Sequence, residues 1–372
     1  MKKSKLIIST GSNFEGGAEL QLTKIVRSIS KYEIHFLCFA ESDKDYGAYS
    51  SLKNLDKFHF YPLNIKKPIS AIRNFKRLLN IINTNEDKTN ILGWLAKGNL
   101  IGLFIGFLKP FKTKLFLSHR SRFILNQSFL SQILLYFSLT IYFISPKKII
   151  HIANSKVIYS SKLIRFLLKG TPINIKNCYE FNENKSINKK LPKNKKLLKI
   201  TIIGRFSNEK GYDLLFKSLS KVDFKYSLTC IGKGCSLNNK RFRNLCHKNS
   251  IRAKVYEKIN NINKAYIESD FIVSASYSES FPNVVVESLL NGTPVICTPT
   301  GPFLNLLREF NLVSKSFKSD DLTKLMNYAY LLRRNDKEYQ TVRKKLKKKI
   351  VSEILTPIQA AQIYEKVFEK HN

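Results

Sequence analysis

Acidic residues are scarce in this chain. Asp and Glu together number 27 against 64 Lys and Arg, which gives a formal net charge of +37 at pH 7. Such an excess attracts anions of every kind, so nucleic acid, an anionic membrane surface and phosphate-bearing substrates all qualify as partners. Lysine recurs along nearly every segment together with Ile and Asn, the pattern that A/T-rich codons produce. The net charge therefore does not choose among these partners.

Glycine, proline and cysteine are also sparse, at 15, 11 and 6 residues in a chain of 372. Because 43% of the residues are hydrophobic, this composition excludes a disordered or fibrous chain and predicts a folded protein. The cysteines show neither C-x2-C pairs nor the His spacing of a metal site, so we expect reduced, partly buried thiols. The apolar run at residues 6–8 is too short for a signal peptide, and we expect a cytoplasmic chain.

Short apolar runs alternate with longer amphipathic segments along the chain, which predicts a doubly wound α/β architecture. The length favours two domains. The lysine-rich and asparagine-rich segment at residues 181–198 is the best candidate for a linker between them. We therefore predict a first domain at residues 1–180, a second at residues 199–355 and a last helix within residues 356–372.

One long stretch, residues 123–146, carries no charged residue. Arg120 and Arg122 precede it, and Lys147 and Lys148 follow it. A membrane-spanning helix needs about 20 mostly apolar residues, and polar residues dilute the first third of this stretch. Three interpretations stay open: a spanning helix, a helix that dips into a membrane surface, and a helix of the protein core.

The most informative run lies between residues 270 and 302 and contains Glu279 and Glu287, with seven residues between them. Glu279 is predicted in a loop after a strand. A helix is predicted to begin near Val284, which places Glu287 about 4.5 Å along its axis. The N–H groups and the dipole of such a helix start attract phosphate. Carboxylates on either side could then hydrogen-bond sugar hydroxyls, while solvated positions for both Glu residues are the alternative.

Two cations follow the first predicted strand of the second domain. Arg205 comes directly after Gly204, and Lys210 directly precedes Gly211. Side chains at the carboxyl end of that strand would face a ligand cleft, where two fixed positive charges can hold a diphosphate. In so basic a chain it is the position at a strand end that singles out this pair.

These two runs, together with the IGKG segment at residues 231–234, resemble the family 4 retaining glycosyltransferases of the GT-B fold. In that family a pair of Glu residues with this spacing follows a strand, and a basic pair follows a Gly-Arg start. The resemblance extends to the N-terminal glycine loop, to IHIANSKV at residues 150–157 and to the last helix, which in GT-B proteins crosses back onto the first domain. It covers nearly the whole chain and implies two Rossmann-like doubly wound domains that face a central cleft.

The resemblance implies roles for individual positions. Glu279 would contact the transferred sugar and stabilise positive charge near its anomeric carbon, and Glu287 would bind the ribose hydroxyls of the nucleotide. Arg205 and Lys210 would neutralise the departing diphosphate, with no metal ion and no cofactor required. Backbone contacts to the sugar hydroxyls and the phosphates are expected at Phe281, Asn283, Val284, Gly16 and Gly17.

In the first domain the resemblance implies an active-site histidine at His119, although the adjacent Arg120 is an alternative match. The segment around Trp94 resembles that of relatives that transfer N-acetylhexosamines during surface polysaccharide assembly, which points to a donor of the uridine diphosphate type. Arg120 and Trp94 are therefore candidate acceptor-side residues. Core packing is the alternative for Trp94.

The implied function is the retaining transfer of a hexose or N-acetylhexosamine from a UDP-type nucleotide sugar to a glycan on a polyprenyl diphosphate lipid. Such an enzyme of O-antigen or capsule synthesis would be peripheral on the anionic inner face of the cytoplasmic membrane. The alternatives are a basic nucleic-acid-binding protein and a GT-B sugar-nucleotide epimerase. The sequence lacks the basic residues interleaved with aromatics that would indicate a nucleic-acid-binding protein. It also lacks a clear run of acid/base carboxylates in the first domain, which argues against an epimerase.

Overall fold

The computed structural model describes residues 4–11, 13, 16–40, 45–64, 66–84, 88–120, 140, 149–181 and 197–371. The chain divides into two compact units, of which the first is Met1–Glu180 with Leu355–Asn372 and the second is Phe181–Ile354. Apart from Thr140, the uncharged stretch 123–146 lies outside the described residues, as does most of the predicted linker 181–198. The interpretations of these two segments therefore stay predictions.

The first unit is built on a seven-stranded parallel sheet in the order β3-β2-β1-β4-β5-β6-β7. The order reverses beside β1, which pairs with β2 on one side and β4 on the other, as in doubly wound sheets. The strands are β1 (Ser4–Thr10), β2 (Tyr32–Ala40), β3 (Phe58–Asn64), β4 (Thr89–Trp94), β5 (Thr113–His119), β6 (Ile149–Ala153) and β7 (Ile173–Asn174).

Helices cover both faces of this sheet. Side chains alternate along each strand, so Ile8 of β1 joins the core beneath α1 and the last helix, whereas Ile7 joins the core beneath α2 and α3. Short 3-10 helices lie at residues 47–52 and 156–159. The α-helices of this unit are α1 (Gly17–Ser28), α2 (Pro68–Asn83), α3 (Leu95–Leu108), α4 (Lys162–Leu167) and α12 (Pro357–Lys370).

The last helix, α12, belongs to the first unit. It begins at a capping box in which the Thr356 hydroxyl accepts the N–H of Gln359, and the Gln359 side chain accepts the N–H of Thr356. Glu365 Oε1 accepts the backbone N–H groups of Ser30 at 2.7 Å and Lys31 at 2.9 Å, just after α1 ends. These contacts anchor α12 on the connection between α1 and β2.

The second unit repeats the design with five parallel strands in the order β10-β9-β8-β11-β12. The strands are β8 (Leu198–Ile203), β9 (Tyr226–Ile231), β10 (Ala253–Tyr256), β11 (Phe271–Ser274) and β12 (Val295–Cys297). The helices are α5 (Tyr212–Leu219), α6 (Lys240–Lys248), α7 (Ile262–Glu268), α8 (Asn283–Leu290), α9 (Leu304–Arg308), α10 (Ser319–Arg334) and α11 (Asp336–Glu353).

The predicted doubly wound α/β architecture is confirmed, with two differences of detail. The strand predicted across residues 270–276 is shorter, at Phe271–Ser274, and all six cysteines are buried rather than partly buried. The helix predicted to begin near Val284 begins at Asn283, and Gly292 follows its end with a φ of +73° that favours glycine. None of the described helices is both long enough and apolar enough to cross a bilayer.

A buried ion pair joins the second sheet to its two longest helices. Arg333 Nε of α10 lies 2.7 Å from Asp270 Oδ1, with side-chain exposures of 3% and 6%. The other carboxylate oxygen of Asp270 accepts the backbone N–H of Lys199 at 2.9 Å, and the hydroxyl of Tyr339 in α11 donates to the Asp270 carbonyl. Arg333 also reaches Asp336 at 3.0 Å, which is half exposed.

We expect Asp270→Asn to lower the free energy of unfolding by about 3 to 5 kcal/mol, because the buried Arg333 guanidinium loses its buried counter-charge and keeps only the half-exposed Asp336. Asp336→Asn removes a partner of the same guanidinium at the surface and should cost less than about 1 kcal/mol. Urea unfolding of both variants measures the difference. Equal losses would contradict the assignment of Asp270 as the partner that matters.

Candidate active site

The carboxyl ends of β8 and β11 lie side by side in the second unit, because these two strands pair in parallel. The turn after β8 holds Lys210, and the loop after β11 leads to Glu279. The two segments contact each other through a hydrogen bond from the Tyr277 N–H to the Glu209 carbonyl at 2.8 Å. The sheet therefore brings together two residues that are far apart in the sequence.

Lys210 and Glu279 form an ion pair in which Nζ lies 2.6 Å from Oε1. The Ser276 hydroxyl donates to the same carboxylate oxygen at 2.7 Å, and the Glu279 N–H donates to Thr300 Oγ1 at 3.1 Å. Within the described residues Glu279 Oε2 makes no hydrogen bond. The carboxylate is thus fixed through one of its two oxygens, and its side chain is 12% exposed.

The turn that carries Lys210 requires glycine at position 211. Gly211 has a φ of +63°, and a Cβ built there would lie 2.0 Å from the carbonyl oxygen of Ala275. Any side chain would push the turn away from the loop after β11. The Lys-Gly order that the sequence shows is therefore what lets Lys210 reach Glu279.

Arg205 lies where the backbone after β8 closely approaches the backbone after β9. A Cβ built on Gly232, in the IGKG turn after β9, would lie 2.2 Å from the carbonyl oxygen of Gly204. The Phe206 N–H donates to the Lys233 carbonyl at 2.9 Å across the same contact. The Arg205 side chain is exposed and makes no hydrogen bond or ion pair with any described residue, so its charge is available to an anion.

The start of α8 lies in the loop that follows Glu279. No side chain caps this end of the helix, where the backbone of Pro282 is the N-cap. The backbone N–H groups at the start of a helix and the positive end of its dipole attract anions. The Phe281 ring itself is buried and packs edge-on against Phe303 at 5.1 Å. Contacts to a ligand at Phe281, Asn283 and Val284 are therefore expected from the backbone, as the resemblance implies.

Glu287 points toward α7 through a hydrogen bond from the Tyr266 hydroxyl to its Oε2, at 2.6 Å. The sequence alone does not identify Tyr266. It does not identify Ser276 and Thr300, which contact Glu279, either. No motif marks them in the sequence, because their role depends on contacts across the fold.

In the first unit, Gly16 and Gly17 lie at the start of α1. Gly16 is the N-cap residue, and its carbonyl accepts the Leu20 N–H at 3.0 Å. A Cβ on Gly16 would lie 2.4 Å from Glu19 Oε2, which is the end of a flexible side chain that can move aside. Ser12, Phe14 and Glu15 of the same loop are outside the described residues.

His119 ends β5 and has a partner that the sequence analysis missed. Its Nε2 lies 2.9 Å from His151 Nδ1 on β6, and the two rings stack at 5.2 Å. Burial lowers the pKa of His119 well below its ordinary value and that of His151 to about 3. Both rings are therefore neutral near pH 7, and one N–H donates to the other nitrogen.

Arg120 and Trp94 form one buried cluster beside this histidine pair. The guanidinium lies 4.0 Å from the centre of the Trp94 ring, and it donates to Asn177 Oδ1 at 3.0 Å and to the Tyr364 hydroxyl of α12. Trp94 is fully buried, and its Nε1 donates to the Ala18 carbonyl at 3.1 Å. The cluster ties β4, β5, α1 and α12 together, so an acceptor-side role for either residue stays a prediction.

The two units have the architecture of the GT-B glycosyltransferases, and solved structures of that fold match nearly the whole chain. HepE of Anabaena, solved in complex with UDP, has a TM-score of 0.72 at 16% identity, covering 99% of this chain and 100% of its own. The same protein has also been solved with UDP-glucose. Sucrose-phosphate synthase of Thermosynechococcus elongatus has a TM-score of 0.72 at 15% identity, with coverages of 99% and 100%.

Residues 183–349 match the family model described as glycosyl transferases group 1. An uncharacterized glycosyltransferase of Methanocaldococcus jannaschii is 24% identical over 113 residues, which span 29% of this chain and 29% of the length of that relative. The matched model contains every predicted donor-site residue of the second unit. With the fold, it indicates a glycosyl transferase domain at residues 183–349.

The histidine pair predicts a pH dependence of stability. Below the ordinary histidine pKa of about 6.5 the unfolded chain takes up protons that the folded pair does not, so the free energy of unfolding falls as the pH decreases from about 6.5. His151→Gln removes one of these groups and should reduce that slope by up to about 1.4 kcal/mol per pH unit.

Denaturant unfolding between pH 7 and pH 5 measures the slope. His247→Gln on the exposed side of α6 is the matched control, because it removes a histidine that belongs to no buried pair. The same slope for the wild type and His151→Gln would rule out a buried neutral pair.

Proposed function

We propose that this chain is a retaining glycosyltransferase that moves a hexose or N-acetylhexosamine from a UDP-type nucleotide sugar to a lipid-linked glycan. The observation that carries the proposal is the Glu279 carboxylate, which Lys210 and Ser276 hold through Oε1 while Oε2 is left to a ligand. The match of the second unit to the glycosyl transferase model supports it. The UDP and UDP-glucose bound by HepE support the choice of nucleotide.

Donor binding follows from the charges around this carboxylate. Arg205 and Lys210 supply two cations for the diphosphate, and the start of α8 supplies N–H groups and the positive end of a dipole. Glu287, oriented by Tyr266, would accept the ribose hydroxyls. In this proposal the protein's own cations take the place of a metal ion.

The chemistry is the cleavage of the bond between the anomeric carbon and the phosphate oxygen. The electron pair leaves with UDP, where fixed cations and N–H groups stabilise it, and the acceptor oxygen forms the new bond on the same face of the sugar. The hydroxyl proton passes to the departing phosphate. Glu279 Oε2 stabilises the positive charge that develops at the anomeric carbon. His119, kept neutral by burial, would hydrogen-bond a sugar hydroxyl without adding charge.

The acceptor and the place of action rest on the resemblance to enzymes of surface polysaccharide assembly. A glycan on a polyprenyl diphosphate lipid would be presented at the inner face of the cytoplasmic membrane, where a strongly basic protein is attracted to anionic lipid. O-antigen or capsule synthesis is the process that fits such an acceptor.

A panel of nucleotide sugars tests the donor, since the right one stabilises the protein by RT ln(1 + [L]/Kd) in a thermal-shift assay.

With that donor, Glu287→Ala should raise KM about tenfold or more, because it removes charge-assisted hydrogen bonds of about 1.5 to 3 kcal/mol. Glu279→Ala should instead lower kcat. Glu268→Ala on the exposed side of α7 is the control. Wild-type kinetics in both site variants would refute the assignment, and release of an epimerised donor would identify an epimerase.

A further variant separates a specific phosphate contact from bulk charge. Arg205→Ala removes only one of 64 basic side chains but should lower turnover roughly a hundredfold, through lost stabilisation of the leaving group. Lys344→Ala with Lys345→Ala removes two exposed charges on α11 and should leave turnover with a soluble acceptor nearly unchanged. Similar losses in the two proteins would point to a nonspecific electrostatic role.

A further inference from the structure

The first unit presents large apolar side chains to solvent along α2 and α3. Phe111, which follows the end of α3, is 85% exposed, and Ile69 at the start of α2 is 75% exposed. Contiguous exposed apolar surface of this kind marks a binding site on a soluble protein. We call the following residues the α2–α3 patch: Ile69, Ile72, Phe104, Phe107, Leu108 and Phe111.

The members of the patch are connected. Ile69, Ile72 and Phe75 follow one another at three-residue spacing on one side of α2, and the Phe75 ring stacks on Phe104 of α3 at 5.9 Å. Phe107 follows Phe104 at the same spacing on α3, and Phe111 lies three residues beyond the end of that helix. Both helices cover the same face of the sheet, because Leu78 and Ile82 of α2 share one core with Leu103 and Ile105 of α3.

Helix α3 exposes these side chains because its glycines face the sheet. A Cβ built on Gly98 would lie 2.3 Å from the carbonyl oxygen of Ser9, and one on Gly102 would lie 3.1 Å from Ser9 Oγ. The helix therefore packs closely through its smallest residues and turns its phenylalanines outward. A surface helix ordinarily does the reverse and buries its large apolar side chains.

The surroundings of the patch are positively charged. The sequence contains no Asp or Glu between Lys57 and Asn85 or between Lys88 and Tyr179. Arg73, Lys76 and Arg77 are exposed on α2, next to the apolar residues of that helix. Protruding phenylalanines among unbalanced cations fit a surface that offers both acyl chains and negative headgroups.

We propose that the α2–α3 patch docks on the surface of an anionic lipid bilayer. The inference rests on the proposed function, since it assigns the membrane contact of that function to described residues. A second copy of the chain fits less well, because a two-fold contact through this patch would bring its arginines and lysines against their own copies. Nucleic acid would be held by the cations and would stack its bases on the phenylalanines, but it would leave Ile69, Ile72 and Leu108 without a role.

Sedimentation with lipid vesicles at low and high salt tests the proposal. Vesicles of phosphatidylglycerol and phosphatidylcholine are compared with vesicles of phosphatidylcholine alone. We expect the wild type to bind the anionic vesicles, and high salt to weaken binding without abolishing it, because salt screens the headgroups but not the apolar contact. Phe107→Ser with Phe111→Ser should reduce binding roughly tenfold or more, since two exposed phenyl rings no longer enter the lipid.

Two controls are matched to this surface. Leu331→Ser with Ile358→Ser removes apolar side chains that are 62% and 63% exposed on α10 and α12, and it should not change binding. Lys76→Gln with Arg77→Gln should lower binding at low salt, whereas Lys344→Gln with Lys345→Gln should lower it less. Thermal unfolding confirms that each variant is folded.

Several results would overturn the proposal. These are a wild type that stays in the supernatant at low salt, a Phe107→Ser/Phe111→Ser protein that binds like the wild type, and a dimer in light scattering that this variant dissociates. DNA binding that depends on the same phenylalanines would assign the patch to nucleic acid. Turnover of the donor with a soluble acceptor is measured in parallel. Its absence in the wild type would count against the proposed function and not against docking.

Discussion

The parallel pairing of β8 with β11 is the constraint on which the candidate active site depends. Ile200 lies opposite Phe271 and Ile202 opposite Val273, so the two strands end at the same edge of the sheet. The turn and the loop that leave this edge must pass each other closely, and Gly211 permits the approach. The ion pair between Lys210 and Glu279 therefore depends first on the register of the two strands, which brings the side chains together, and only then on the attraction between their charges.

Much of the fold could be predicted from local pattern. Short apolar runs fix the buried strands, and glycine at positions such as 211 and 292 marks turns that need a positive φ. The limits of elements are less predictable because distant side chains decide them. Strand β11 ends at Ser274, whose carbonyl accepts the Thr298 N–H at 3.1 Å and the Thr298 hydroxyl at 3.2 Å. The residues around position 274 contain no pattern that predicts these hydrogen bonds.

The candidate site was predictable in its charged members and not in the residues that hold them. Glu279 and Glu287 are recognisable by spacing, whereas Tyr266, which orients Glu287, looks like any core tyrosine. His119 appears alone in the sequence, yet the pairing of β5 with β6 places His151 beside it. Arg120 reaches Tyr364 near the other end of the chain. Periodicity tells which face a side chain occupies, but only the sheet order tells which neighbour it meets.

The six buried cysteines have a practical consequence. Burial raises the pKa of Cys38 and of Cys297 to about 12 and that of Cys178 and of Cys246 to about 11, and it raises the pKa of Cys230 and Cys235 as well. Thiols that are both inaccessible and protonated react slowly with maleimides and iodoacetamide. A cysteine introduced on the surface would be the one fast-reacting thiol of the folded chain. Dyes and spin labels can thus be attached at a chosen position without removing any native cysteine.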